Sequence, residues 1–161
     1  MEEFDVVNHE DEIIGKATRD ECHANPSIIH RALHFTLINP ETKEILLTRR
    51  ARNLKYDGGK LCFLGEHVKA GESWEDALRR GVKEELGFDP TTWKEIDHYI
   101  FSYATQTEFV RFFLVDWNYE KIELEKDEIE ESMWLSKSEL EQISSQTSHM
   151  TNHWVKKLMS T

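Results

Sequence analysis

Residues 65–88 read GEHVKAGESWEDALRRGVKEELGF, a turn-rich loop that runs into a compact amphipathic helix and stops at a glycine. Gly71 punctuates the loop, Ser73 is placed to cap the first turn, and Glu75 and Asp76 put negative charge where a helix dipole favours it. At about 100° per residue, Trp74, Ala77, Leu78, Gly81, Val82 and Leu86 share one side, while Asp76, Arg79, Arg80 and Lys83 share the other. Gly87 ends the helix. Glu85 falls inside the apolar stripe and Glu84 at its edge. Two adjacent carboxylates turned toward a packed face are costly to bury unless a cation meets them, and a divalent metal is one such cation. The pattern also fits a solvated helix face braced by the i,i+4 pairs Glu75–Arg79 and Asp76–Arg80. Periodicity alone leaves both readings open.

Working outward, 161 residues with a formal charge of −11 make an acidic chain of the length of one ordinary domain, and a single domain over 1–161 is the expectation. That charge disfavours a nucleic-acid polymer or an anionic membrane surface as the main partner. An anionic small molecule would need local cations or a metal. No apolar run approaches the roughly 20 residues of a membrane span, and the opening MEEFDVVNHEDE lacks the basic-then-apolar order of a signal peptide. Cys22 and Cys62 have no CxxC spacing, which points to a reducing compartment, the cytoplasm. Association into a homodimer is left open.

Upstream of the opening stretch, residues 4–8 and 13–18 read as two short strands around the turn HEDE, an N-terminal β-hairpin. Residues 20–29 are irregular, with Pro26 barring a long helix. Residues 31–38 and 45–49 read as a second hairpin around NPETKE. A glycine-containing cationic loop, RNLKYDGGK at 52–60, and a short apolar strand at 61–64 deliver the chain to the helix. Downstream, strands at 96–103 and 108–117 flank the polar segment ATQT. The acidic run 121–131 reads as a solvated connection, residues 133–135 as a last strand. Ser136 with Glu139 marks a capped helix, and a further amphipathic helix covers 151–159. Strands on both sides of one internal helix, with helices at the end, indicate an α/β or α+β sheet covered on both faces.

The stretch 65–88 resembles the Nudix box, G-x5-E-x7-R-E-U-x-E-E-x-G-U with U aliphatic. Glu72, Arg80, Val82, Glu84, Glu85 and Gly87 match it, Gly65 lies at its head, and Phe88 is an apolar stand-in for U. Glu66 stands where the box glycine is expected, and Gly81 where the first glutamate of R-E-U-x-E-E should be. The resemblance implies an α/β fold, a Nudix-type α/β/α sandwich with a mixed sheet and the N-terminal β-hairpin. It further implies a divalent-metal-dependent hydrolase of the diphosphate linkage in a nucleoside-diphosphate-linked or related small molecule, with Mg²⁺ or Mn²⁺ as cofactor. Glu84 and Glu85 are then metal ligands, Glu85 with Glu66 or Glu108 is catalytic, and Glu72 pairs with Arg80 to brace the loop. Arg49, Arg50, Arg52 and Lys55 are candidates to hold phosphates, the arginines bidentately, or they form a solvated basic strand end.

A second resemblance, to isopentenyl-diphosphate isomerase, a Nudix-fold enzyme, rests on His23, His30 and His67, on Gln106 and Glu108, and on Lys55-Tyr56-x-Gly58. It implies that the three histidines ligate metal; read without it, His23 and His30 are partly exposed side chains bonded to loop carbonyls. The isomerase order Cys-Gly-His is here Gly65-Glu66-His67. Cys62 lies three positions early, and strict strand alternation would aim it away from the face of residue 65. Hydrolysis is therefore ranked above isomerisation, and the loss of a carboxylate at Gly81 raises a third reading, a Nudix fold that binds a nucleotide without cleaving it. His34, in an alternating strand, is expected to be a packing residue.

Overall fold

A computed structural model describes all residues from Met1 to Thr161. In chain order its elements are β1 (Glu3–Val7), β2 (Ile13–Thr18), α1 (Arg19–Ala24), β3 (Ile29–Ile38), β4 (Ile45–Arg50), β5 (Leu61–Cys62), β6 (Leu64–His67), α2 (Trp74–Leu86), β7 (Trp93–Ser102), β8 (Thr107–Asp116), β9 (Ile129–Leu135), α3 (Lys137–Gln142) and α4 (His149–Met159). The longest apolar strand, β3, is the spine. One edge pairs in parallel with β8 along its whole length, from Ile29 opposite Thr107 to Ile38 opposite Asp116. The other edge is shared by β1, which takes Ile29 and His30, and β6, which takes residues 32–35.

The 61–67 segment bends at Phe63. Its first half pairs with β4 and its second half with β3, so one short stretch joins two wings of a mixed sheet. The second hairpin read from the sequence is correspondingly incomplete. Beyond Ile38 opposite Ile45, β3 and β4 diverge, and β4 pairs instead with β9 and β5. Its strong right-handed twist and two partners leave it no room to follow β3.

Side-chain alternation along β3 builds two cores. Leu33, Phe35 and Leu37 face α2 and pack with Ala77, Leu78, Val82 and Leu86. Ala32 faces the other way, with Val110 and Phe112 of β8 against Trp154, Val155 and Leu158 of α4. Each fully buried Leu or Phe contributes about 1.5–3 kcal/mol. Helix α2 begins as the sequence predicts, with Ser73 Oγ accepting from the Asp76 N–H at 3.0 Å, and ends at Gly87, whose φ of 84° is costly for a residue with a Cβ.

Two expectations need correction. Residues 19–24 are a helix, α1, held by a capping box in which Thr18 and Glu21 satisfy each other's backbone N–H groups; the T-x-x-E signal was present in the sequence but is short. The acidic run 121–131 is only partly solvated, since Ile122 and Leu124 pack on the α2 core and its end forms the first residues of β9. No helix is long and apolar enough to cross a membrane.

Candidate active site

Two groups of ionisable side chains lie on opposite faces of β6. Alternation along this strand turns Glu66 toward α2 and His67 toward the far side, because Glu66 is opposite Leu33 and His67 opposite Ala32.

On the α2 face, Arg80 is the hub. Its Nε and one Nη grip the two oxygens of Glu72 at 2.9 and 3.0 Å, and the same Nη donates to the His67 carbonyl at 2.7 Å. The other Nη lies 3.3 Å from Glu66 and 3.4 Å from Glu84. Burial alone would raise Glu72, but the Arg80 hydrogen bonds and the Lys69 N–H outweigh it and hold its carboxyl below the usual range. Glu66 behaves oppositely: burial pushes it up, Arg80 pulls it back, and Glu84 opposes the pull. Glu85 has no cation beside it. Burial, then the charges of Glu128, Glu66, Glu84 and Glu125, raise it to about 7. Four carboxylates thus converge on a fifth, and two of them, Glu125 and Glu128, come from the run read as a plain connection.

The two departures from the box are neighbours in space. A Cβ placed on Gly81 would sit 3.2 Å from Glu66 Cβ and 3.3 Å from Phe35. The Glu66 side chain therefore occupies the ground that a side chain at 81 would claim.

On the other face, His23 from α1, His30 from β3 and His67 from β6 bring one nitrogen each to within 4.8 Å of one another. The buried Phe4 ring stacks on His30 and His67 with centroids 5.4 and 5.0 Å apart. Glu108 of β8 lies 3.5 Å from the Nε2 of both His30 and His67. Burial works against its charge, but the two imidazoles hold its carboxyl well below the usual carboxylate range. Burial first, then the other two imidazoles, lowers His23. His23 Nε2 and both ring nitrogens of His30 are buried without a hydrogen-bond partner, as is Oε1 of Gln106, two residues along the strand from Glu108. Orphaned buried acceptors aimed at a common point beside an ionised carboxylate fit a metal cation. This corrects the grouping of Glu66, Glu85 and Glu108 as one catalytic set: Glu108 belongs to the imidazole face.

The structure does not gather the four basic candidates. Arg49 is tied to Glu131 at 2.6 Å and to the Gly59 carbonyl at 2.8 Å, and the exposed Arg52 pairs with Glu130 at 3.3 Å. Lys55 lies over the Tyr56 ring at 5.3 Å. Arg50, whose Nε donates to the Tyr56 carbonyl at 3.1 Å, lines a cavity together with His34 and Cys62. Cys62 consequently shares the face of residue 65 after all, because the bend at Phe63 interrupts the alternation. His34 also lines that cavity, so it is more than a packing residue.

This arrangement of a loop, a carboxylate-bearing helix and a split mixed sheet agrees with comparisons to known proteins. The NUDIX domain profile matches residues 29–154. A Nudix hydrolase from Nostoc sp. is 30% identical over 145 residues, which is 87% of this chain and 83% of that protein. An isopentenyl-diphosphate Delta-isomerase from Halobacterium salinarum is 28% identical over 92 residues, 57% of this chain but 43% of that protein. The crystal structure of a Deinococcus radiodurans protein superposes with a TM-score of 0.77 at 20% identity, covering 97% of this chain and 98% of that one. The chain belongs to the NUDIX domain family and is a Nudix-type pyrophosphohydrolase.

Proposed function

We propose that this chain, as one domain over 1–161, is a divalent-metal-dependent hydrolase that cleaves the diphosphate linkage of a nucleoside-diphosphate-linked or related small molecule in the cytoplasm. The observation that carries the reading is the convergence of Glu66, Glu84, Glu125 and Glu128 on Glu85, which no protein cation neutralises. Oxygen ligands of this kind suit Mg²⁺ or Mn²⁺. When bound, such an ion neutralises diphosphate oxygens and lowers the pKa of a water.

Each residue then has a distinct task. Glu84 and Glu85 hold the ion. Glu66, lying across Gly81, supplies the carboxylate that the box lacks there and accepts the proton of the attacking water. Glu72 and Arg80 fix the loop to the helix. Gly65 and Gly87 set the strand approach and the helix end. Arg50, the candidate with free donors at a cavity, receives a substrate phosphate, whereas Arg49, Arg52 and Lys55 shape the surrounding loop. His23, His30, His67 and Glu108 hold a second cation on the other face of β6, and the softer imidazole set favours a transition ion over Mg²⁺ there.

The test is turnover by the purified chain with Mg²⁺ or Mn²⁺ on a panel containing ADP-ribose, sugar nucleotides and dinucleotides linked through diphosphate, with products resolved by chromatography. Turnover that Glu85→Gln abolishes is the expected result. A metal-loaded, folded chain inert across the panel would defeat the hydrolase reading, and tight binding without cleavage would support the non-hydrolytic one. Including isopentenyl diphosphate, with isomer formation as readout, checks the isomerase alternative, which the glycine at 65 disfavours.

A further inference from the structure

The cavity beside His34 lies on the imidazole face of β3, walled by Arg50, Asp57, Cys62, Phe63 and Met150, with a volume of about 140 Å³. His34 is oriented there by a single hydrogen bond: the Trp154 indole N–H donates to His34 Nδ1 at 2.8 Å, and Trp154 is fully buried. An indole nitrogen can only donate, so His34 Nδ1 must accept. Burial holds the imidazole neutral, its pKa brought down to about 4. The one remaining proton therefore resides on Nε2, which has no acceptor in the chain and points as a fixed donor.

Gly65, opposite His34 in the β3–β6 pairing, keeps that donor uncovered. A Cβ at 65 would come within 3.1 Å of His34 Cδ2 and 3.5 Å of Nε2. The position relative to the cation sites is also suggestive of a substrate path. His34 and His30 lie on one face of β3, four residues and roughly 13 Å apart, and His67 sits opposite Ala32 between them. A molecule with its phosphates near His67 and Arg50 would bring its other end to His34.

Size narrows what that end can be. A cavity of about 150 Å³ accommodates a benzene ring, so this one takes one six-membered ring and not a fused bicycle. Phe63 and Met150 offer apolar sides, and His34 offers one donor. We propose that this cavity is the specificity pocket for the non-phosphate end of the substrate, and that it takes a neutral six-membered ring whose hydrogen-bond acceptor meets His34 Nε2–H. The assignment of that ring as part of the substrate rests on the diphosphate reading above; the binding of the ring itself does not.

The experiment titrates the whole chain with three probes while the Trp154 indole N–H and His34 imidazole signals are followed by NMR. The probes are uridine, adenosine and inorganic pyrophosphate with Mg²⁺. Uridine is expected to shift both signals, adenosine to bind at least tenfold more weakly, and pyrophosphate to leave the pair undisturbed. His34→Phe removes the donor and should weaken uridine about tenfold, the equivalent of one hydrogen bond. Because it also deprives Trp154 of its acceptor, Gly65→Ala is the second variant; it keeps the Trp154 bond, crowds Nε2 and should weaken uridine similarly. Both variants should bind pyrophosphate as the parent does. The pocket is overturned if uridine fails to bind at millimolar concentration, if adenosine binds equally well, or if neither substitution changes uridine affinity. Loss of pyrophosphate binding in the parent would instead strike the diphosphate reading and leave this one standing.

Discussion

Glu66 and His67 are adjacent in sequence and face opposite ways, and the regions they join solve opposite electrostatic problems. On the α2 face, five carboxylates share one guanidinium hub, and the most enclosed of them, Glu85, is left with an elevated pKa and no counter-charge. On the other face, three imidazoles surround one carboxylate, and Glu108 is held ionised by the groups around it. The first region is stressed without a cation; the second is nearly self-satisfied. A cation should consequently change the first region's stability and chemistry more than the second's.

The sharpest way to break that contrast is Glu85→Gln. A bound ion supplies several kcal/mol to the transition state, so kcat/KM on the preferred diphosphate should fall by roughly 10³-fold, while the folded chain melts no lower without metal. Equal activity in this variant would place the chemistry elsewhere.

Asp11 tests whether the two faces are mechanically joined. This turn residue is almost fully enclosed, pairs with Arg31 at 2.7 Å and Arg111 at 2.8 Å, and accepts from the Trp74 indole at 3.1 Å. It pins the β1–β2 hairpin, which carries Phe4 over the imidazoles, to the start of α2. Asp11→Ala leaves two partly buried guanidinium groups unpaired and should cost about 3–5 kcal/mol in denaturant unfolding.

A reciprocal exchange sharpens the carboxylate side. Glu66→Gly should lower kcat about 10²-fold if Glu66 is the base, and adding Gly81→Glu in the freed space should restore about tenfold. Gly81→Glu alone crowds Glu66 and Phe35 and should destabilise by about 1–3 kcal/mol. Failure of the double variant to exceed Glu66→Gly would show that the two positions do not substitute for one another.

Cation stoichiometry separates the faces directly. Calorimetric titration with Mn²⁺ should count two sites in the parent, one in His23→Ala and one in Glu85→Gln, each variant retaining the other's site.

The smallest effect is the pH dependence of the metal-free chain. Glu85 has a folded pKa near 7, above its unfolded value, so its contribution is fully present below the unfolded value and is lost as pH rises through about 7. Raising pH from 6 to 8 should lower Tm modestly, and Glu85→Gln should flatten that slope. Glu108 has the opposite sign, its depressed pKa contributing stability that is lost only on acidification.

Local signals made much of this legible. The periodicity, Ser73 and Gly87 located α2 and its buried face, because caps and amphipathic spacing act within a few residues. They also placed Glu85 at a packed surface. What escaped was long-range. Glu125 and Glu128 look like solvated charge until the chain folds them toward Glu85, and Asp11 looks like an ordinary turn residue until Arg31 and Arg111 meet it. The bend at Phe63 overturned the expected direction of Cys62, since alternation predicts facing only while a strand keeps one partner. His34 gained its fixed donor from a tryptophan 120 residues away.

By itself, then, the order of residues determined the loop-helix stretch, the strand spacing and the identity of the two anomalous positions, Glu66 and Gly81, because these depend on neighbours along the chain. Only the tertiary structure decided that the two anomalies touch and that Glu108 belongs with the histidines. It alone also gave His34 its opening onto a cavity. Each of those outcomes depends on which strand faces which. That is set by the packing of two cores on β3, and no local pattern encodes it.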